Sequence, residues 1–305
     1  MKSSSRFRSG SLAGVLRGVA VGCALYLGAL PVAHAEKDFS SPDAAMNALG
    51  EAVSNNEEST LQAIFGRDFR TLIPPAGAAI RSRFLDEWAK SHQIDQTDDH
   101  HARIAVGNDG WTFPIPLVKS DKGWHFDMRA GAEEMRLRRI GRNELAVIQT
   151  MLAVYDAQRE YALTNHDGVG LLTYASKLSS SPGKHDGLYW PTEPDAPPSP
   201  LGPAFVQASA RNAEDAGYHG YRYKLLKSQG PHAPGGAYDY VVNGKLFGGF
   251  AVIAWPVRYG DTGIKSFMVS HAGQVYERDL GPDSAARAKD MSSFDPGPGW
   301  AKVQP

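Results

Sequence analysis

Cysteine is nearly absent: Cys23 is the only one among 305 residues. A single thiol rules out an internal disulfide framework and any cysteine-built metal site. Long apolar runs are missing as well, since Val19–Leu30 spans about 12 residues where roughly 20 are needed to cross a bilayer. Neither sign of charge dominates, with 32 basic and 33 acidic side chains. Several catalytic signatures are also lacking: the G-x-S-x-G elbow, the H-E-x-x-H zinc pair, S-x-x-K followed by K-T-G, the phosphate-cradling G-x-x-x-x-G-K-[ST] and the calcium loop.

What is present begins with an address. Lys2, Arg6, Arg8 and Arg17 precede the short apolar run, and Ala33-His34-Ala35 supplies the small-x-small signal of a cleavage site. The expectation is a signal peptide over residues 1–35, removed after Ala35, and a periplasmic or secreted protein. The alternatives are an uncleaved anchor, or a lipoprotein acylated at Cys23 behind Ala20-Val21-Gly22. Cleavage leaves 28 basic against 33 acidic residues, a net charge of −5, no cysteine and no stretch long enough to span a membrane. Such a chain is a poor partner for nucleic acid.

The length favours two domains after the leader, read as 36–130 and 131–305. In the first, Ser41-Pro42-Asp43 is a helix start, with Ser as N-cap, Pro at the first helical position and an acid in the first turn. Small residues from Ala44 to Val53 keep helical spacing, and two further short helices follow, around Leu61–Phe65 and Ile80–Ser91. The period then changes to two. Ile104 and Val106, then Trp111 to Leu117, then Trp124 to Met128 alternate as strands do, with Gly107–Gly110 and Asp121–Gly123 as turns. Pro114 and Pro116 lack amide donors, which confines their segment to an edge or bulged strand. Helices followed by a curved antiparallel meander resemble the cystatin-like α+β class.

The second region opens on the stretch Arg136–Tyr161. Treated as a helix, it gathers Leu137, Ile140, Leu145, Val147, Ile148, Met151, Leu152, Val154 and Tyr155 on one broad face. Glu144 falls in the middle of that face. Either Gly141 breaks the helix, Asn143 caps a new one and Glu144 sits near its positive end, or Glu144 is a buried carboxylate paired with Arg138, Arg139 or Arg142. Residues 179–203 form a loop with seven prolines, and Leu188-Tyr189-Trp190 argues that it docks. Strands are expected at Tyr218–Leu226, Tyr238–Val242, Phe250–Val257, Ile264–Val269 and Val275–Asp279, giving an antiparallel sheet. A long helix on such a sheet resembles the globular part of type IV pilin-like proteins, so the overall expectation is α+β.

Five motifs in order add a sequence resemblance: RRIGRNEL (Arg138–Leu145), DAQREYA (Asp156–Ala162), DGLYWP (Asp186–Pro191), QGPHAPGGAYDYVVNG (Gln229–Gly244) and FDPGPGW (Phe294–Trp300). Together they resemble a bacterial family of secreted proteins, domain of unknown function 2950. The resemblance implies no activity, cofactor or catalytic residue.

Candidate site residues follow from composition. His185 and Asp186 beside Tyr189 and Trp190 make a sugar- or peptide-binding edge, where rings stack and carboxylates accept hydrogen bonds. The alternative is a structured turn whose Asp caps local amides. Gln229 opens a glycine-rich stretch that permits close approach of a ligand or simply connects a hairpin. Glu144, with Arg139 or Arg142, completes the set. Asp98-Asp99-His100-His101 is read as a solvated loop, because neighbours on a strand face opposite ways. No cofactor, metal ligand or catalytic residue is assigned. The preferred reading is a non-catalytic module that binds an envelope protein or cell-wall polymer. The alternative is a periplasmic hydrolase of glycan or peptide, with Glu144, His185 and Asp186 as acid–base groups.

Overall fold

The N-cap at Ser41 forms as the sequence dictates: its hydroxyl accepts the Ala44 N–H at 3.1 Å, and Pro42 opens α1 (Pro42–Asn55). In the computed structural model, residues 37–166, 170–192, 195–205 and 217–304 are described. The leader and its cleavage point lie outside them. After α1 come α2 (Glu58–Phe65), a 3-10 turn at Phe69–Thr71 and α3 (Ala78–Lys90).

An antiparallel sheet follows, made of β1 (His92–Gln96), β2 (His101–Val106), β3 (Trp111–Thr112), β4 (Leu117–Ser120) and β5 (Gly123–Phe126). Its order is β1-β2-β4-β5, with β3 paired to β2. Ala102, Ile104 and Val106 point inward at period two, and they join Leu49, Ile64, Phe65 and Phe126 in a first core. Two details differ from the sequence reading. The prolines at 114 and 116 divide their segment into β3 and β4, because neither can donate to a ladder. Met128 starts a helix and ends no strand, since the Asp127 carboxylate accepts the Ala130 N–H at 2.9 Å and caps α4 (Met128–Tyr161).

α4 runs unbroken for 34 residues, through Gly141. A glycine costs a helix interior about 1 kcal/mol, and contacts on both sides of it outweigh that here. Arg138 donates to Thr112 O and Oγ1, at 2.7 and 2.8 Å, and Asn143 donates to Thr262 O at 2.8 Å. Asn143 is therefore a tertiary anchor and caps nothing. At the front of the helix Gly131 lies against Ile115, where a Cβ would fall 2.7 Å from Ile115 Cγ1. The buried face is narrower than the projection suggested: Ile140, Val147, Met151 and Val154 are buried, whereas Leu137 and Leu145 are 46% and 66% exposed.

Beyond α4, β6 (Lys177–Ser179) and β7 (Gly187–Tyr189) pair in parallel. The main sheet has the order β17-β15-β14-β13-β8, from β8 (Tyr221–Leu226), β13 (Ala251–Pro256), β14 (Lys265–Ser270), β15 (Val275–Asp279) and β17 (Ala301–Lys302), all antiparallel. Short ribbons lie between and around them: β9 (Ser228–Gln229), β10 (Tyr238–Asp239), β11 (Val241–Val242), β12 (Lys245–Leu246) and β16 (Ser293–Phe294). The stretch 238–242, expected as a sheet strand, is split between two of these ribbons. A short helix, α5 (Ser284–Asp290), completes the fold. Every residue of β13 is buried, because Val252 and Ala254 face Val147 and Val154 of α4 while Ile253 and Trp255 face Ala288 of α5 and Tyr240. The protein is thus α+β, with a three-layer second region in which the inner strand β13 is apolar on both faces.

Candidate functional site

The last turn of α4 fixes the floor of a polar cavity. The buried Gln158 amide exchanges two hydrogen bonds with the backbone of Ala175, at 2.9 and 3.0 Å, and the Tyr161 hydroxyl donates to His185 O at 2.5 Å. The Ser181–Asp186 turn is closed by Asp186 itself. Its carboxylate accepts the Ser181 N–H at 2.7 Å, the Ser181 hydroxyl at 3.0 Å and the Lys177 ammonium at 2.7 Å. The Lys177 and Ser181 donors hold its pKa down at about 2. Gly187 then passes so close to β6 that a Cβ would meet Ser179 C at 2.6 Å. Opposite, Asn243 and Gly244 adopt positive φ, 51° and 79°, and turn the β11–β12 hairpin so that Lys245 reaches the same space.

The open cavity has a volume of about 560 Å³ and is bordered by Tyr161, His166, Tyr174, Ser176, His185 and Lys245 among others. Its rings are ordered in pairs. His185 stacks on Trp190 with centroids 4.3 Å apart, and His166 stacks on Tyr161 at 4.0 Å. His166 also lies 5.5 Å from Trp190, so the four rings form one cluster. His166 Nε2 is 3.1 Å from Tyr161 O, whereas the His185 ring is exposed and has no hydrogen-bond partner among the described residues. Flat faces, hydroxyls and an ammonium around one volume suit a polar ligand with an apolar face of its own.

A family model described as "Protein of unknown function (DUF2950)" matches residues 36–303. The chain belongs to this family. No curated protein and no solved structure matches it.

In this DUF2950 protein the residues singled out from sequence fall in four places. His185 and Asp186 line the cavity, with Trp190 behind His185. Tyr189 lies in β7 and packs against the second core, away from the cavity lining. Glu144 and Arg139 are on the front half of α4, where both hold the 260–265 segment. Glu144 Oε1 accepts the N–H groups of Ile264 and Lys265, at 2.8 and 2.9 Å, and Arg139 pairs with Asp261. Glu144 therefore caps no helix and, among the described residues, pairs with no arginine. Arg142 is exposed on α4 without a hydrogen-bond or ion-pair partner among the described residues. Gln229 is buried beneath its own glycine-rich loop, donating to Pro234 O and Gly236 O at 2.8 and 2.6 Å and accepting from Tyr240 at 3.0 Å.

Sequence reasoning missed Tyr161, His166, Tyr174 and Lys245. Tyr161, His166 and Tyr174 follow one another with no spacing that marks a site, Lys245 comes from a distant hairpin, and only the Asn243-Gly244 turn left a local signal. The Asp98–His101 segment does form a local turn, with Asp98 accepting from His100 N and facing His101 Nδ1. Among the described residues no three His, Cys, Asp or Glu side chains converge as a metal site would require.

Proposed function

We propose that this protein is a non-catalytic binding module of the cell envelope, exported by the leader at its N-terminus, and that the cavity beside His185 takes a saccharide unit of a cell-wall polymer. The observation that carries the reading is the cluster of the Tyr161, His166 and His185 rings, backed by Trp190, at a 560 Å³ cavity whose remaining walls are largely polar. Sugar rings present apolar C–H faces to such surfaces and hydroxyls to the Ser176 and Lys245 side chains.

Support for binding over hydrolysis comes from the carboxylates. A glycosidase needs two of them roughly 5–10 Å apart. Glu144 sits 17 residues before Tyr161, which contacts His185. At 1.5 Å per residue that is about 25 Å along α4. Asp186 is engaged by its own turn and held ionised, which suits a positioning group better than a proton donor.

The test is calorimetric titration of the chain with soluble glycan-strand fragments, with His185→Ala and Lys245→Gln alongside. Both variants are expected to bind at least about ten-fold more weakly, which corresponds to about 1.4 kcal/mol, with an unchanged Tm. Fragments that bind equally well to both variants, or that are cleaved on incubation, would overturn the reading. Export is tested separately by sequencing the N-terminus of the protein recovered from the periplasm or medium, where Glu36 is expected as the first residue.

A further inference from the structure

A second cavity, of about 520 Å³, opens in the other core, between α1, α2, α3 and the segment 69–76. Its walls are apolar: Val53, Leu61, Phe65, Ile73, Phe84 and Phe113 all face it. Val53, Leu61, Ile73, Phe84 and Phe113 are only partly buried, so the first core has an accessible inner surface at this point. Polar groups stand in the lining of the cavity in two pairs. Arg70 is neutralised by Glu58 through two hydrogen bonds, Nε to Oε1 at 2.8 Å and a shorter one from Nη2 to Oε2. Arg81 donates only to the side-chain oxygen of Asn56, a neutral amide. Among the described residues no carboxylate forms an ion pair with Arg81, so its charge is uncompensated at the cavity.

An apolar chamber with one unneutralised guanidinium has a definite complement. A neutral apolar guest would leave that charge facing it, and a cation would be repelled. A second copy of the chain would have to insert a protruding apolar segment followed by an acid. We infer that the cavity binds a single-chain amphiphile with a carboxylate head, the chain among the aromatic and aliphatic walls and the head on Arg81, where planar bidentate pairing favours a carboxylate. This site is independent of the polar cavity beside His185.

The full chain would be titrated calorimetrically with dodecanoate, with dodecanol and dodecyltrimethylammonium as controls of equal chain length. One-site binding of dodecanoate is expected, at least about ten-fold tighter than either control, since a charge-assisted pair is worth that much. Arg81→Gln should bring dodecanoate down to the level of dodecanol without changing Tm, because the side chain is half-exposed. Leu61→Trp, which fills the chamber, should abolish binding of all three. If Leu61→Trp does not fold, the Arg81→Gln comparison decides alone. No binding, equal affinity for dodecanoate and dodecanol, or indifference to Arg81→Gln overturns the inference. So does self-association through this face that dodecanoate fails to disperse.

Discussion

Between Arg136 and Glu144, α4 turns polar side chains onto the segment 260–265, whereas between Val147 and Tyr161 it buries an apolar seam against β13 and β14. Arg136, Arg139, Asn143 and Glu144, at helical spacing, reach Gly260 O, Asp261, Thr262 O and the amides of Ile264 and Lys265. The rear half offers Val147, Met151, Val154 and Ala157 to Val252, Ala254, Phe267 and Val269. One helix thus uses directional bonds at one end and area burial at the other. Hydrogen bonds fix where the β13–β14 turn sits, and the seam supplies most of the stabilisation, because a net hydrogen bond contributes about 1 kcal/mol and a buried aliphatic side chain two to three times that.

The seam breaks hardest. Met151 is fully buried, and Met151→Ala should lower the unfolding free energy by about 2–5 kcal/mol, through lost transfer energy and a cavity that relaxes only in part. Urea denaturation would show it as a fall in midpoint at constant slope. A loss below about 1 kcal/mol would mean that the rear half is no more important than the front.

The clamp breaks less. Glu144→Ala strands the Ile264 and Lys265 amides, which should cost about 1–3 kcal/mol. It also removes the neighbour of Tyr221, whose phenol is pushed up by burial and by the Glu144 carboxylate. Glu144→Gln keeps an acceptor oxygen and should recover most of the loss. Space around the clamp is tight: a Cβ on Gly263 would come within 1.9 Å of the Tyr221 hydroxyl. Equal losses for Ala and Gln would show that the charge, and not the acceptor, holds the turn.

This difference also explains what the sequence could reveal. Helix, meander, sheet order by hairpins and the N-cap at Ser41 are local or periodic features, so residues within a few positions of one another disclose them. Glu144 on an apolar face was visible as an anomaly, but its partners lie 120 and 121 residues away and are backbone amides, which no side-chain pattern marks. The polar cavity follows the same rule. His185 and Asp186 stood out because aromatics adjoin them in sequence, while His166 and Lys245 arrive from a helix end and a distant hairpin. The continuation of α4 through Gly141 was hidden because tertiary anchors on either side outweigh a propensity cost near 1 kcal/mol.

Asp186 tests whether the turn beside the polar cavity behaves like the clamp. Its carboxyl titrates at about 2 in the folded chain against 3.8 ordinarily. A depressed value means that the stabilisation is complete above the unfolded value and is lost as pH falls through the folded value, from about 5 to about 1. The carboxylate is a third exposed, so solvent screening reduces the contribution to about 1 kcal/mol or less. Asp186→Asn should therefore be mildly less stable than the parent at neutral pH, and the two should converge by about pH 1 in an acid titration followed by circular dichroism. A gap that persists at about pH 1 would assign the effect to the turn's geometry instead of its charge.

The smallest effect belongs to Arg142, which shares the front half of α4 with the clamp but points to solvent. Its neighbours Arg136 and Arg139 reach the 260–261 segment because they lie on the helix face that meets it. Arg142 is three residues beyond Arg139, a turn advanced by about 300°, and it is exposed without a hydrogen-bond or ion-pair partner among the described residues. Asp261 is shared between Arg139 and Arg258, and Arg142 takes no part in that pairing. Arg142→Ala should change stability by no more than about 0.5 kcal/mol, whereas Arg139→Ala should lose about 1 kcal/mol because its partner is also bonded within the turn. Equal losses from the two variants would show that the polar half of α4 acts as a diffuse field of positive charge and not as a set of aimed contacts, and high salt would then weaken both alike.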